Sequence, residues 1–242
     1  MLKVTTSWDD GDILDLRLAN LLSQYGIKGT FYITKNYREK RLSEDEIRKI
    51  NTNHEIGAHT LSHPDLRTLS YKEKQDEIEG GKKWLEEIIQ GPVNMFCYPK
   101  GLYDTETAHV VQNIGFLGAR TTKLGSIETH ADPFQIETTL QVYPFPFRKI
   151  NQTKYYFGKL FEPYTQRSSK LRDLGVSRFK MYSWLSLAKA TFDIAVLKGD
   201  TFHLWGHSWE IEKYDMWNEL EKFLQYIQNH KNCAYLTNRE VL

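Results

Sequence analysis

The chain has 242 residues, with 32 Lys and Arg against 31 Asp and Glu, so its formal net charge is +1. That balance leaves no basic excess to neutralise a run of phosphates, which excludes a nucleic-acid binder held by bulk charge. Charged residues at 26% and hydrophobic ones at 40% exclude an acidic, disordered chain and fit a globular protein. The length fits one domain over residues 1–242, and a single α/β barrel commonly runs to about 200–250 residues. Cys97 and Cys233 are too few for a disulfide framework, so free thiols and a reducing compartment are expected. The N-terminus has no long apolar run before its first acids, and no stretch of about 18 apolar residues occurs. A soluble, cytoplasmic protein is the expectation.

In chain order, Lys3–Trp8 predicts a first strand. Leu14, Leu18, Leu21, Leu22 and Tyr25 recur at helical spacing, with Gly26 as the stop. Thr30–Thr34 is β-branched and aromatic, hence a second strand. Ser43 with Glu46 is a capping-box start for a helix through Ile50. His54–Ala58 predicts a third strand. A long amphipathic helix follows over Ser70–Gln90, although Gly80-Gly81 weakens its middle. Val93–Tyr98, Asp104–Ile114 and Phe116–Thr121 read as strand, helix and strand. The stretch Gly125–Val176, punctuated by Pro133, Pro144, Pro146 and Pro163, reads as extended loops carrying one helix. Leu185–Leu197, Thr201–Trp205, a helix marked by Trp217, Leu220, Leu224 and Ile227, and Cys233–Leu236 complete the chain. That alternation predicts parallel strands covered by helices: an α/β, distorted (β/α) barrel of about seven parallel strands.

Four segments carry candidate chemistry. In Ser7-Trp8-Asp9-Asp10-Gly11, adjacent acids of a strand face opposite sides. At a strand end where Gly11 permits a bend, both can reach one site, at the edge where barrel active sites gather. A plain turn or helix cap is the alternative. In His59-Thr60-Leu61-Ser62-His63, two imidazoles four residues apart on one helical turn face the same way. A coincidental surface pair is the alternative. Zinc in a catalytic site commonly takes three protein ligands plus water. Asp10, His59 and His63 supply three, which leaves Asp9 as an uncommitted base. Tyr98-Pro99-Lys100-Gly101 is either a simple turn or one whose backbone N–H groups bind an oxyanion. In the segment from Phe202 to Glu210, His203 sits inside the strand and reads as structural. His207 lies at the strand exit and is the better general acid, since imidazole titrates near neutral pH. Trp205 and Trp209 can wall a sugar groove or fill the core.

Together these segments resemble the polysaccharide deacetylase family, the NodB-homology domains of carbohydrate esterase family 4. Thr6 to Gly11 looks like its Thr-Phe-Asp-Asp-Gly segment, and His59 to Pro64 like its His-(Ser/Thr)-x-x-His-Pro segment. Tyr98 to Gly101 and Leu204 to His207 resemble its later segments more loosely. The resemblance implies metal-dependent hydrolysis of an N-acyl amino sugar in a glycan or glycan precursor. Asp9 would be the base, Asp10, His59 and His63 the ligands of a divalent metal, His207 the acid, and the Lys100 N–H an oxyanion donor. Two imidazoles and a carboxylate suit zinc, with cobalt, nickel or iron also admissible.

The sequence departs from the family pattern in three places. Cys97 stands where the family has an arginine, and Arg120 can reach in from the next strand instead. The aspartate–tryptophan pair that supports the acid histidine is not found between Leu124 and Ile150. Trp205-Gly206 adds a residue before His207. Two other functions stay open: an inactive carbohydrate-binding member of the family, or a hydrolase of a small non-sugar amide. A near-neutral chain suits an uncharged sugar substrate that needs no steering field.

Overall fold

A computed structural model describes residues 1–129, 131–144, 148–149, 155–156 and 168–242. Strand β1, Leu2–Asp10, runs through the centre of the sheet. Around it lie β2 (Thr30–Ile33), β3 (Glu55–Ala58), β4 (Met95–Cys97), β5 (Gly118–Arg120), β6 (Leu140–Gln141), β9 (Thr201–Gly206) and β10 (Cys233–Leu236). The path is β5-β4-β3-β2-β1-β9-β6, with β10 beside the first residues of β1, and every pairing in it is parallel. This is the expected distorted α/β barrel. One segment spans its two edges. Ile136 bridges Arg120 of β5, and Leu140 and Gln141 pair with β9.

The helices α1 (Asp15–Gln24), α2 (Glu44–Asn51), α3 (Tyr71–Ile89), α4 (Thr105–Asn113), α6 (Trp184–Lys198) and α8 (Trp217–Ile227) fall where periodicity predicts them. Ser43–Glu46 forms the expected capping box, and Ser70–Glu73 forms a second one at the start of α3. Three helices are shorter: α5 (Ser168–Asp173), α7 (Ser208–Lys213) and α9 (Asn238–Val241). The last two were not predicted, because one turn is too short to display a period. Within Gly125–Val176 the structure adds β6 and an antiparallel pair, β7 (Arg148–Lys149) and β8 (Tyr155–Tyr156), to the expected helix. Two-residue strands leave no alternation to read. Phe145, Pro146, Phe147 and Pro163 lie outside the described residues. Among the described residues, no helix is long and apolar enough to cross a membrane.

The two faces of β1 sort the molecule. Val4 and Trp8 join the main core with Phe31, Ile33, Phe96, Phe202 and Leu204, beneath the helices. Thr5, Ser7 and Asp9 lie on the other side, inside the barrel, where the small apolar group Tyr32, Met95 and Cys97 also sits. The barrel interior is therefore unusually polar. Ser7 Oγ lies 2.8 Å from His203 Nε2, and Thr5 Oγ1 donates to Asn238 Oδ1 at 2.8 Å.

Candidate active site

The site stands on the carboxyl ends of the strands. Asp9 continues the inward face of β1, so alternation would send Asp10 outward. Asp10 instead adopts φ 86° and Gly11 φ 71°, which turns the chain back over the barrel. A Cβ at Gly11 would meet Ile33 Cγ2 at 2.6 Å, so the bend requires glycine. Both carboxylates then line one cleft of about 440 Å³, with Tyr37, His59, His63, Lys100, Thr122, Leu124, Gln141, Trp205, His207, Trp209 and Glu210.

Asp10 is buried, and its Oδ1 has no hydrogen-bond donor among the described residues. His59 Nε2 and His63 Nε2 face that oxygen at 3.9 and 3.7 Å. The two histidines do not share a helical turn. Thr60 and His63 have positive φ, and the loop wraps so that the rings meet edge-on at 4.7 Å. His59 Nδ1 lies 2.7 Å from the Cys97 carbonyl oxygen and donates to it, which fixes the ring with Nε2 free. His63 stacks on Tyr37 at 4.1 Å. Burial pushes both imidazoles down to about 4, so both are neutral near pH 7.

A buried oxygen without a donor, facing two neutral imidazole nitrogens, fits a divalent cation. The ligand atoms of Asp10, His59 and His63 all lie within 4.8 Å of one another. Asp9, His59 and Cys97 satisfy the same distance. There, however, burial holds the thiol protonated, and Asp9 is committed elsewhere.

Asp9 is paired with Arg120. The guanidinium reaches in from β5, fully buried, and its Nη2 donates to Asp9 Oδ1. The same guanidinium lies 4.8 Å from the Trp205 ring and 5.4 Å from that of Tyr32. Burial alone would raise the Asp9 pKa, but the charges of Arg120, His59 and His207 and the hydrogen bond from Arg120 together outweigh it and hold the carboxyl below its ordinary range. Cys97, register partner of Arg120, lies with Sγ 3.9 Å from Asp9 Oδ2. Burial and the neighbouring Asp9 charge push Asp10 the other way, upward.

The opposite wall is the first turn of α7. His207 is its N-cap residue, with Nδ1 2.7 Å from Glu210 Oε2 and Nε2 3.9 Å from Asp10 Oδ2. Burial disfavours its cation, but the bond to Glu210 and the Asp10 and Asp9 charges outweigh that and raise its pKa to about 9. Trp209 Nε1 donates to Asp10 Oδ2 at 2.9 Å, and Ser208 Oγ donates to the buried Asp15 Oδ1 at 2.5 Å.

Asp9, Asp10, His59, His63, Lys100, Trp205, His207 and Trp209 therefore share the cleft, with Arg120 behind Asp9. His203 does not line it. Tyr98, Pro99 and Gly101 also lie off the cleft wall. Tyr98 is buried, donates to the Phe134 carbonyl at 3.1 Å and stacks on Tyr103. Gly101 has φ 68° and packs so closely on Thr122 that a Cβ would lie 1.9 Å from its hydroxyl. Their turn brings Lys100, at φ 58°, to the wall. Glu210, Asp15, Tyr37 and Gln141 were not singled out by the sequence. For Glu210 a signal existed, since it lies three residues after His207 in the segment from Phe202 to Glu210.

The family model for polysaccharide deacetylases matches residues 3–119, a span that holds Asp9, Asp10, His59, His63 and the Tyr98–Gly101 turn. Residues 3–119, just under half of the chain, are thus similar to the polysaccharide deacetylase family. Its members act on acetylated sugars. YxkH of Bacillus subtilis, provisionally named a polysaccharide deacetylase, is 29% identical over 127 residues, covering 51% of this chain and 46% of that protein. The peptidoglycan-N-acetylmuramic acid deacetylase PdaA of Bacillus subtilis is 23% identical over 107 residues, 41% of this chain and 38% of that protein. The match thus spans less than half the length of either curated relative. The chitin deacetylase of Colletotrichum lindemuthianum has the same fold, with a TM-score of 0.61 at 17% identity, over 99% of this chain and 87% of that one.

Proposed function

We propose that the protein is a metal-dependent hydrolase that removes an N-acetyl, or other N-acyl, group from an amino sugar in a glycan or glycan precursor. One observation carries this reading. A carboxylate kept ionised by Arg120 and an imidazole kept protonated by its neighbours line one cleft, with the Asp10–His59–His63 group beside both. Paired groups with pKa values pushed apart are what acid–base hydrolysis requires.

A divalent cation held by Asp10, His59 and His63 would polarise the acyl carbonyl and acidify a water. Asp9 takes a proton from the attacking water through Oδ2, because Oδ1 is engaged by Arg120. The buried ion pair fixes that carboxylate in one orientation. The main-chain N–H of Lys100, on the cleft wall, donates to the oxygen on which negative charge gathers. His207 Nε2 gives its proton to the departing nitrogen as the C–N bond breaks, releasing the carboxylic acid and a free amino sugar. Trp205 and Trp209 offer faces to the sugar ring.

The test is to incubate the protein with N-acetylated oligosaccharides and with small non-sugar amides, and to follow acid and amine release before and after metal stripping. Metal-dependent acetate release from the sugars alone is the expected result. Turnover of small amides alone would mark a different amidase, and binding of glycans without turnover an inactive member of the family. Full activity after complete stripping would overturn the mechanism.

A further inference from the structure

We propose that Glu210 is the positioning residue for the acid, fixing the His207 ring so that Nε2 faces the leaving nitrogen. The inference rests on the deacetylase reading. Glu210 is 8% exposed, and its Oε2 lies 2.7 Å from His207 Nδ1. A buried carboxylate at that distance holds the proton on Nδ1, and this determines which nitrogen faces the cleft. On the other side Asp10 faces Nε2 at 3.9 Å, and Asp9 is paired with Arg120, so neither takes this part.

The pair is built by one turn of backbone. His207 caps α7 and Glu210 is its third residue, so the two side chains meet at i and i+3. The turn is tied down on both flanks. Ser208 donates to Asp15 at the start of α1, and Trp209 donates to Asp10 Oδ2. A rotation of α7 that swung His207 away would break both bonds. The acid and its support therefore come from one turn of backbone at the exit of β9, and no aspartate–tryptophan pair between Leu124 and Ile150 is needed. In the step itself, the C–N bond breaks, its electron pair goes to nitrogen, and the Nε2 proton follows. The Nδ1 proton stays on His207, and Glu210 remains a carboxylate throughout.

Glu210→Ala and Glu210→Gln test this against two substrates: an N-acetylated oligosaccharide and 4-nitrophenyl acetate, whose leaving group departs without a proton. Glu210→Ala should lower kcat on the amide about 100-fold, with KM and the nitrophenyl ester rate within about twofold. Glu210→Gln, whose carbonyl still accepts from Nδ1–H, should fall between Glu210→Ala and the unaltered protein. A parallel fall on both substrates, or an unchanged amide kcat, would overturn the assignment. A second measurement is independent of turnover. The downfield Nδ1 proton resonance of His207 should be present in the unaltered protein and lost in Glu210→Ala. Its persistence there sinks the positioning role, whereas failure of the unaltered protein to release acetate sinks the deacetylase reading.

Discussion

Arg120 meets Asp9 from β5, the strand next to the one that carries Cys97, and the two positions are register partners. A guanidinium beside Asp9 is thus supplied by β5, while from β4 the Cys97 thiol comes within 3.9 Å of Asp9 Oδ2. Burial on this scale demands a partner. Fully desolvated charges are tolerated only when paired and hydrogen-bonded.

Removing that partner should be costly in two ways. Arg120→Ala leaves Asp9 buried without a counter-charge, and the expected destabilisation is about 3–5 kcal/mol, read from urea unfolding. Asp9 would also protonate more readily, so deacetylation should fall about 100-fold or more at pH 7. The double variant Cys97→Arg with Arg120→Ala returns a guanidinium from β4. It should recover at least about tenfold of the rate lost, since the charge and not the strand is what Asp9 requires. No recovery in a folded double variant would show that β5 alone can deliver the group.

The pH profile follows from the two opposed shifts. Asp9 is held below its ordinary value, so its base form persists through the neutral range. His207 is raised to about 9, so its acid form is lost only as pH rises through that value. The rate should therefore be flat near neutrality and fall above about pH 9, by tenfold per unit. In His207→Gln the residual rate should lack that alkaline limb. A limb that survives this substitution must come from another group.

Much of this site was legible in the sequence, for definite reasons. Asp9-Asp10-Gly11 and His59 to His63 are local patterns, and local patterns need only a strand end or a loop to become a site. The geometry behind them was less legible. The two histidines were expected on one helical turn, yet Thr60 and His63 take positive φ and the loop delivers them instead. Arg120 could be offered as a partner for Asp9, because β5 was predicted next to β4, but its contact depends on side-chain reach. Tyr98 and Gly101 sit in the predicted turn, but packing against Phe134, Tyr103 and Thr122 turns them off the cleft wall. Asp15 gains meaning only once α7 is seen to dock on α1.

Metal content should track the neutral imidazoles. Both histidines lie near 4, so affinity should hold from pH 7 down to about 5 and weaken steeply only as pH falls through about 4, where protons compete for both rings. His63→Ala should lose the metal, read by elemental analysis, and with it the metal-dependent rise in melting temperature. Cys97→Ser should keep it, because His59 is oriented by the Cys97 main-chain oxygen and not by the thiol. Loss of metal in Cys97→Ser would assign the sulfur a ligand role instead.

The Gly80-Gly81 pair, a weak point in α3 by helix propensity alone, supports the ligand loop. A Cβ at Gly81 would lie 2.9 Å from the Thr60 carbonyl carbon and 3.0 Å from its oxygen, and both are backbone atoms that cannot step aside. Glu77, one turn earlier on α3, accepts from Leu61 N at 3.0 Å, Ser62 N at 2.9 Å and Ser62 Oγ at 2.7 Å. The helix thus grips the loop between His59 and His63 by close approach and by carboxylate bonds together. Propensity predicts that Gly81→Ala stabilises α3 by about 1 kcal/mol. Contact predicts the reverse, and contact should win, since the loop backbone must shift and carries His59 and His63 with it. Gly81→Ala should therefore lower the melting temperature and weaken metal binding by about tenfold or more, as mutation of groups that orient metal ligands commonly does. Gly91→Ala is the control, because its added Cβ meets nothing closer than 3.8 Å. A Gly81→Ala protein with unchanged metal affinity would show that the loop can slide on α3 without disturbing its histidines.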